Sequence, residues 1–321
     1  MAYHTGSAAN VAAVLTALTN ACVDEGWTWS GGILSKADPG IFVRLDAATA
    51  LGSCTPLRMW ARSTIDGSDS PQYVSMGIPI RGTAVTYPVI YHIFVFTDEV
   101  FMVIQYSDKY QWLAFGQSDQ PGLGGTGNWI SATCGAIQLK VGVYYYPSDG
   151  VYMLNTGLNS QTYEYTICPG LGWSLKGIVE LGKTASWSLL TNLWVDVGLD
   201  SGDDTHPWMY TMTNNSIAEV GIRHLVELIA TQPNAFNNEG ILLPIKIIKV
   251  RASSKFSQVL QVQNARNLRI DNYTSEEIIQ LGMDQWMVFP WYRKSTTVRD
   301  GGIKVDHTGT FGWAIKYEPV T

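Results

Sequence analysis

Charge is scarce in this sequence: Asp, Glu, Lys and Arg make up 15% of its 321 residues, against about 25% in an ordinary soluble domain. No run of Lys or Arg stands out and the formal net charge is −6, which argues against a phosphate-backbone partner and hence sequence-specific nucleic-acid recognition. The four cysteines, Cys22, Cys54, Cys134 and Cys168, lie far apart without a C-x-x-C pair. That spacing disfavours a zinc site or a disulfide frame and reads as buried free thiols made in a reducing compartment. No apolar run approaches about 18 residues, so no membrane-spanning helix and no membrane partner are expected. The opening, MAYHTGSAAN, lacks a basic segment followed by an apolar one, so no secretory signal is expected. Repeats and low-complexity linkers are missing as well, which disfavours a solenoid or propeller.

Signatures of catalysis are equally thin. A nucleophile elbow needs G-x-S-x-G, and Gly6-Ser7 and Gly67-Ser68 lack the second glycine. No cysteine sits in a local setting that activates a thiol. Gly122, Gly124 and Gly127 form a nominal G-x-G-x-x-G, but a dinucleotide site needs a preceding strand, a helix opening at the last glycine and an acid about twenty residues on. Here Pro121 precedes the motif, Trp129–Thr133 reads as extended, and Asp149 in a turn is the nearest acid. The motif is rejected. His206, beside Asp203 and Asp204, gives only a loose trio where a metal needs three or more converging ligands, and a solvated acidic loop accounts for it. His92 in a strand and His224 in a helix read as structural; His4 and His307 lie near the two ends. Asp98 and Glu99 at a hairpin tip are expected to be hydrated, which makes them poor glycosidase carboxylates. The chain is read as a non-enzyme with no cofactor and no metal.

What the sequence has is aromatic and β-branched residues: 12% Phe, Trp and Tyr, with 12 Trp and 16 Tyr. Residues 89–116 concentrate them. Val89–Phe96, Val100–Tyr106 and Tyr110–Phe115 read as three antiparallel strands, separated by the polar turns Thr97-Asp98-Glu99 and Ser107-Asp108-Lys109. His92, Phe94 and Phe96 would share one face and Tyr91, Ile93 and Val95 the other, so both faces of this sheet are expected to be covered.

Around this centre the chain reads as mainly β with a few helices, an antiparallel sandwich or jelly-roll-like α+β fold. Val11, Val14, Leu15, Leu18 and Cys22 share one helical face, which predicts a helix over Ser7–Cys22, capped by Thr5 or Ser7 and ended by Gly26. Further strands are expected at Ile33-Leu34, Ile41–Leu45, Leu57–Ala61, Gln72–Ile80, Ile241–Val250 (with Pro244 marking an edge or bulge), Trp286–Tyr292 and Gly312–Tyr317. Helices are expected near 216–230, and at 275–281 behind the capping box Thr274-Ser275-Glu276-Glu277. A division into 1–135 and 136–321 is one option, a single domain the other.

Candidate contact residues lie in polar or Gly-rich loops that can order on assembly. They are Gln117, Asp119, Leu123, Thr126 and Asn128 in one loop, and Asp200, Asp203 and Asp204 in another. Trp27 and Trp29 alternate and would show one face, as would Tyr144 and Tyr146. Stacking on a sugar is the functional reading of such a pair, and core packing or subunit contact the commoner one.

Three stretches, in this order, resemble structural proteins of tailed-bacteriophage virions: YHTGSAANVAAVLTAL with GWTWSGGILSK; YPVIYHIFVFTDEVFMVIQYSDKYQWLAFGQS with TGNWISAT; and ARNLRIDNYTSEEIIQLGMDQWMVFPWYRK with HTGTFGWAIKYEP. The resemblance implies a neck or tail component, such as a collar, connector or tail-terminator layer, with a baseplate or tail-tip part as the alternative. It implies partners that are copies of the same chain in a ring and other neck or tail proteins, with assembly in the host cytoplasm. It brings no cofactor and no catalytic residue. Low charge and many aromatics suit a subunit that hides much of its surface against neighbours. Outside that class stands a receptor- or glycan-binding module.

Overall fold

The computed structural model describes residues 1–48, 54–69, 74–79, 85–118, 127–132, 138–139, 143–144, 197–200, 208–210, 220–221, 242–251, 255–270, 272–290 and 311–318. They form a mainly β, antiparallel architecture with one helix. The chain opens with β1 (Ala2–Ala8) and α1 (Val11–Asp24). Then β2 (Thr28–Ser30), β3 (Ile33–Lys36), β4 (Ile41–Ala47), β5 (Cys54–Arg62) and β6 (Val74–Pro79) pair in sequence order as a five-stranded meander. Next come β7 (Val89–Val95), β8 (Glu99–Tyr106), β9 (Lys109–Gln117) and β10 (Asn128–Ala132). The short β11 (Gln138–Leu139) and β12 (Val143–Tyr144) pair with each other; β13 (Val197–Asp200) and β14 (Trp208–Tyr210) return to the middle sheet, ordered β1-β7-β8-β9-β10-β13-β14. The C-terminal sheet runs β15-β16-β17-β20-β19-β18, from β15 (Val220–Gly221), β16 (Leu243–Arg251), β17 (Lys255–Arg269), β18 (Ile278–Leu281), β19 (Asp284–Pro290) and β20 (Phe311–Tyr317). The middle sheet therefore takes strands from both sides of residue 135.

Strand alternation decides how these sheets stack. On β7 to β10, Ile93, Val95, Val100, Met102, Ile104, Leu113, Phe115 and Ile130 point one way. They pack against Val14, Leu18 and Cys22 of α1 and Leu34, Val43, Leu45, Leu57 and Met59 of the five-stranded sheet. The opposite face carries Tyr3, His92, Phe94, Phe101 and Trp112, which meet the C-terminal sheet through rings. Phe94 stands edge-on to Phe289 with centroids 6.0 Å apart, and Trp313 lies 5.9 Å from Phe101 and 5.1 Å from Trp112. The middle sheet is thus covered on both faces, as the 89–116 pattern predicts. β8 and β9 are nearly continuous buried runs for that reason.

The helix begins four residues later than its periodicity suggests. Residues 2–8 instead form β1, register Ser7↔Ile90 and Thr5↔His92, because seven backbone pairings along an open sheet edge outweigh a weak helical preference. Asn10 is the cap: its Oδ1 accepts the Ala13 N–H at 2.9 Å. Gly26 takes φ +80 just past the helix end, the left-handed geometry a glycine adopts freely.

The expected helix at 275–281 is a strand. The capping-box chemistry forms, with Glu277 Oε2 accepting from the Thr274 N–H at 2.7 Å and its hydroxyl at 3.0 Å. Glu276, however, turns left-handed at φ +67 and donates its N–H to Val288 O. The chain then enters β18 and reverses at Gly282, φ +62, to pair with β19. A cap opens a helix only where the next residues have no better partner, and Ile278-Ile279 find one in Met287 and Trp286. In the 216–230 segment Val220–Gly221 is a short strand on β16; the other residues of that segment lie outside the described ones. Pro244 marks a register shift between Pro244 and Ile245, opposite a bulge in β17.

Candidate functional site

The described residues concentrate their buried polar chemistry where the middle and C-terminal sheets meet. The bulge is its origin. Proline has no N–H to give the ladder, and β17 jumps register from Pro244↔Arg266 to Ile245↔Val262, passing over Gln263, Asn264 and Ala265 on that side. Backbone groups freed from a ladder in a dry interior need other partners. Glu99, the first residue of β8, supplies the acceptors: Oε1 takes the Gln263 N–H at 2.8 Å, and Oε2 takes the Asn264 N–H at 2.8 Å and its Nδ2 at 3.0 Å. Arg266 supplies the donors, its Nη1 reaching Val262 O, Gln263 O and Ala265 O at 3.2, 2.6 and 2.7 Å. One acid and one guanidinium thus satisfy one bulge.

Glu99 is completely buried, which corrects the expectation that this hairpin tip is hydrated. Its turn fits because Gly116 lies opposite: a Cβ there would come within 2.5 Å of Asp98 O and 2.7 Å of Glu99 Cγ. Burial pushes the Glu99 carboxyl up to about 8, with the Asp98 charge adding to it, against the N–H donors of Gln263 and Asn264. The Arg266 guanidinium, which lies over Trp286 with Cζ 5.2 Å from the ring centroid, is lowered by burial and raised by Glu99 and Asp284.

A second polar cluster joins the same sheets at their other end. His92 Nδ1 lies 2.7 Å from the Tyr3 hydroxyl, and His92 Nε2 lies 3.6 Å from Glu276 Oε2. Tyr110 donates its hydroxyl to Glu276 Oε1 at 2.8 Å and accepts from Gln105 Nε2 at 3.0 Å. Burial lowers His92, opposed by Glu276; burial raises Tyr110, reinforced by Glu276. His92 is 4% exposed and packed edge-on against Phe289, so its ring serves the interface, as a strand histidine is expected to.

A third group lies on the outer face of the five-stranded sheet. Arg44 and Arg58 both lie over the Trp60 ring, with guanidinium carbons 3.8 and 5.1 Å from its centroid. Asp69 pairs with Arg44 at 2.5 Å and Arg62 at 3.1 Å, and Asp46 pairs with Arg58. Arg62 also holds Ile65 O and Gly67 O, which pins the turn after β5. The alternation R-x-W-x-R at 58–62 is its signal in the sequence.

Of the candidate contact residues, Gln117 and Asn128 prove to be strand residues paired across β9 and β10. Their side chains turn inward: Gln117 Nε2 donates to Asn128 Oδ1 at 3.0 Å and Pro39 O at 3.2 Å, and Asn128 Nδ2 donates to Gly40 O at 2.8 Å. Together they tie the middle sheet to the β3–β4 turn. Gly127 closes the hairpin, φ +77, its carbonyl accepting from Ser118 N–H. Asp200 ends β13 opposite Trp208. Asp119, Leu123, Thr126, Asp203 and Asp204, like Tyr146, His206, His224 and His307, lie outside the described residues. Trp27 is 3% exposed and edge-on to Phe115, with Lys36 Nζ 5.4 Å from its centroid. Trp29 is half-buried against the same core. A sugar needs an open ring face, and Trp27 offers none. Cys22 is a buried free thiol whose pKa burial raises.

Among the described residues no group of three or more His, Cys, Asp or Glu is placed to hold a metal, and no helix is long and apolar enough to cross a membrane. No protein-family model matches this chain, and no curated protein matches it.

Proposed function

We propose that the chain is a structural subunit of a tailed-bacteriophage particle: a collar, connector or tail-terminator layer of the neck, formed as a ring of its own copies against other neck or tail proteins. One observation carries this reading. The three stretches that resemble virion proteins coincide with the elements that interlock. The first supplies β1, α1, β2 and β3; the second β7 to β10; the third the end of β17 with β18, β19 and β20. A likeness that falls largely on α1 and paired strands is what a shared architecture would leave. The ionisable groups between the sheets support a structural role too, since Glu99 bonds β8 to β17, His92 bonds Tyr3 and faces Glu276, and Arg266 braces the bulge of β17 itself. Ile90 on β7 and Ile278 and Met283 on the β18–β19 hairpin stand exposed; in a ring these apolar side chains would be covered by neighbours.

The test is the mass of the purified chain in solution, followed by its position in particles by electron microscopy. A closed ring and symmetric density at the neck are expected. Density at the distal end would move the assignment to a baseplate or tail-tip part. A monodisperse monomer absent from every particle would overturn the proposal.

A further inference from the structure

The contact between the middle and C-terminal sheets encloses two ionisable groups of opposite habit. Glu99 is sealed into the β17 bulge, faced by Asp98 from its own turn and by Arg266 from β17. His92 is sealed between Tyr3 of β1, Phe289 of β19 and Glu276 of the turn before β18, with Tyr110 of β9 bonded to the same carboxylate. Separating the sheets would return both groups to water. We propose that the seat of the C-terminal sheet on the middle sheet is a two-sided proton switch, loosened by base through Glu99 and by acid through His92. The inference concerns the fold itself and stands apart from the virion reading.

The direction follows from comparing each group closed and open. In the closed interface Glu99 holds its proton up to about 8, whereas a hydrated carboxyl releases it near 4.5. Closed therefore binds more protons than open between those values, and closure weakens as pH rises through them. For His92 the closed form sits below the ordinary 6.5. Open then binds more protons just below 6.5, and closure weakens as pH falls. Just below 6.5 the two oppose each other. Opening should therefore rise by up to about tenfold per pH unit from 6.5 towards 8. Where Glu99 is replaced by Gln, the opposing effect is gone, and opening should rise as pH falls just below 6.5.

Hydrogen exchange of the full chain, read at the amides of residues 261–268 and corrected for the intrinsic pH dependence of exchange, tests this. The expected result for the wild type is a rising limb from 6.5 towards 8. Glu99→Gln should flatten the alkaline limb and unmask a rise as pH falls just below 6.5, whereas His92→Asn should keep the alkaline limb and extend it below 6.5. Amides of α1, which packs on the other face, are the internal control and should stay protected. A flat wild-type profile from 6.5 to 8 would overturn the proposal, as would α1 opening in step with 261–268. Because the wild-type slope decides the matter, a variant that folds poorly leaves the test intact.

Discussion

The two faces of the middle sheet are built by opposite means. Towards α1 and the five-stranded sheet, the contact is made mostly of aliphatic and sulfur-containing side chains such as Val100, Met102, Ile104 and Leu113, with the Trp27–Phe115 ring pair among them and the Gln117 and Asn128 amides at its edge. Towards the C-terminal sheet it is made of rings, one buried acid, one buried histidine and a backbone bulge. Apolar contact is non-directional and forgiving of shape, whereas a buried polar contact fixes a single register and is costly when half-satisfied. The first face supplies bulk cohesion; the second dictates how one sheet must sit on the other.

Substitutions can break that comparison. Trp313→Ala removes the ring that meets both Phe101 and Trp112 and should cost about 3–5 kcal/mol in urea unfolding. Glu99→Ala should cost a similar amount, about 3–5 kcal/mol, although it deletes hardly any apolar area, because it strands the Gln263 and Asn264 donors beside Arg266. A loss below about 1 kcal/mol would mean that the bulge finds other partners. On the opposite face Leu18→Ala should cost about 2–5 kcal/mol, set by cavity size alone. Tyr110→Phe, which takes one hydrogen bond from Glu276, should cost about 1.5 kcal/mol. Met102→Leu should cost less than about 1.5 kcal/mol with an unchanged denaturant slope, since that face accepts volume-conserving exchange. Asn10→Ala, removing only the cap of α1, should cost about 1 kcal/mol.

How much of this could be read in advance depends on the range of the interaction. The meander at 89–116 was legible because β-branched and aromatic runs with three-residue polar turns admit few pairings. Its two covered faces followed from the lack of a polar stripe. Strand identity at Ile33, Ile41, Leu57, Trp286 and Gly312 was legible on the same grounds, as was the irregularity at Pro244. What Pro244 does was not. Its consequence falls on Gln263 and Asn264 and then on Glu99, 164 residues from Gln263 in sequence, and local chemistry at a hairpin tip gives a carboxylate no reason to be dry. The same limit misplaced the start of α1, where Ser7 obeys the distant strand β7; the 275–281 helix was lost to the next strand, which Ile278 meets across a tight turn. Trp27 and Trp29 read as a pair because alternation is visible, but which face is buried depends on Phe115.

That sequence separation also sets a timetable for the chain as it is made. At roughly 5–20 residues per second, a ribosome that has just finished Glu99 needs roughly 8–30 s more to reach the amides that will receive it. During that interval the tip between two very apolar strands carries two hydrated charges, Asp98 and Glu99, which discourage neighbouring nascent chains from pairing with it. A residue that ends with no exposed surface thus supplies, while synthesis lasts, one of the charges at the tip of the growing sheet.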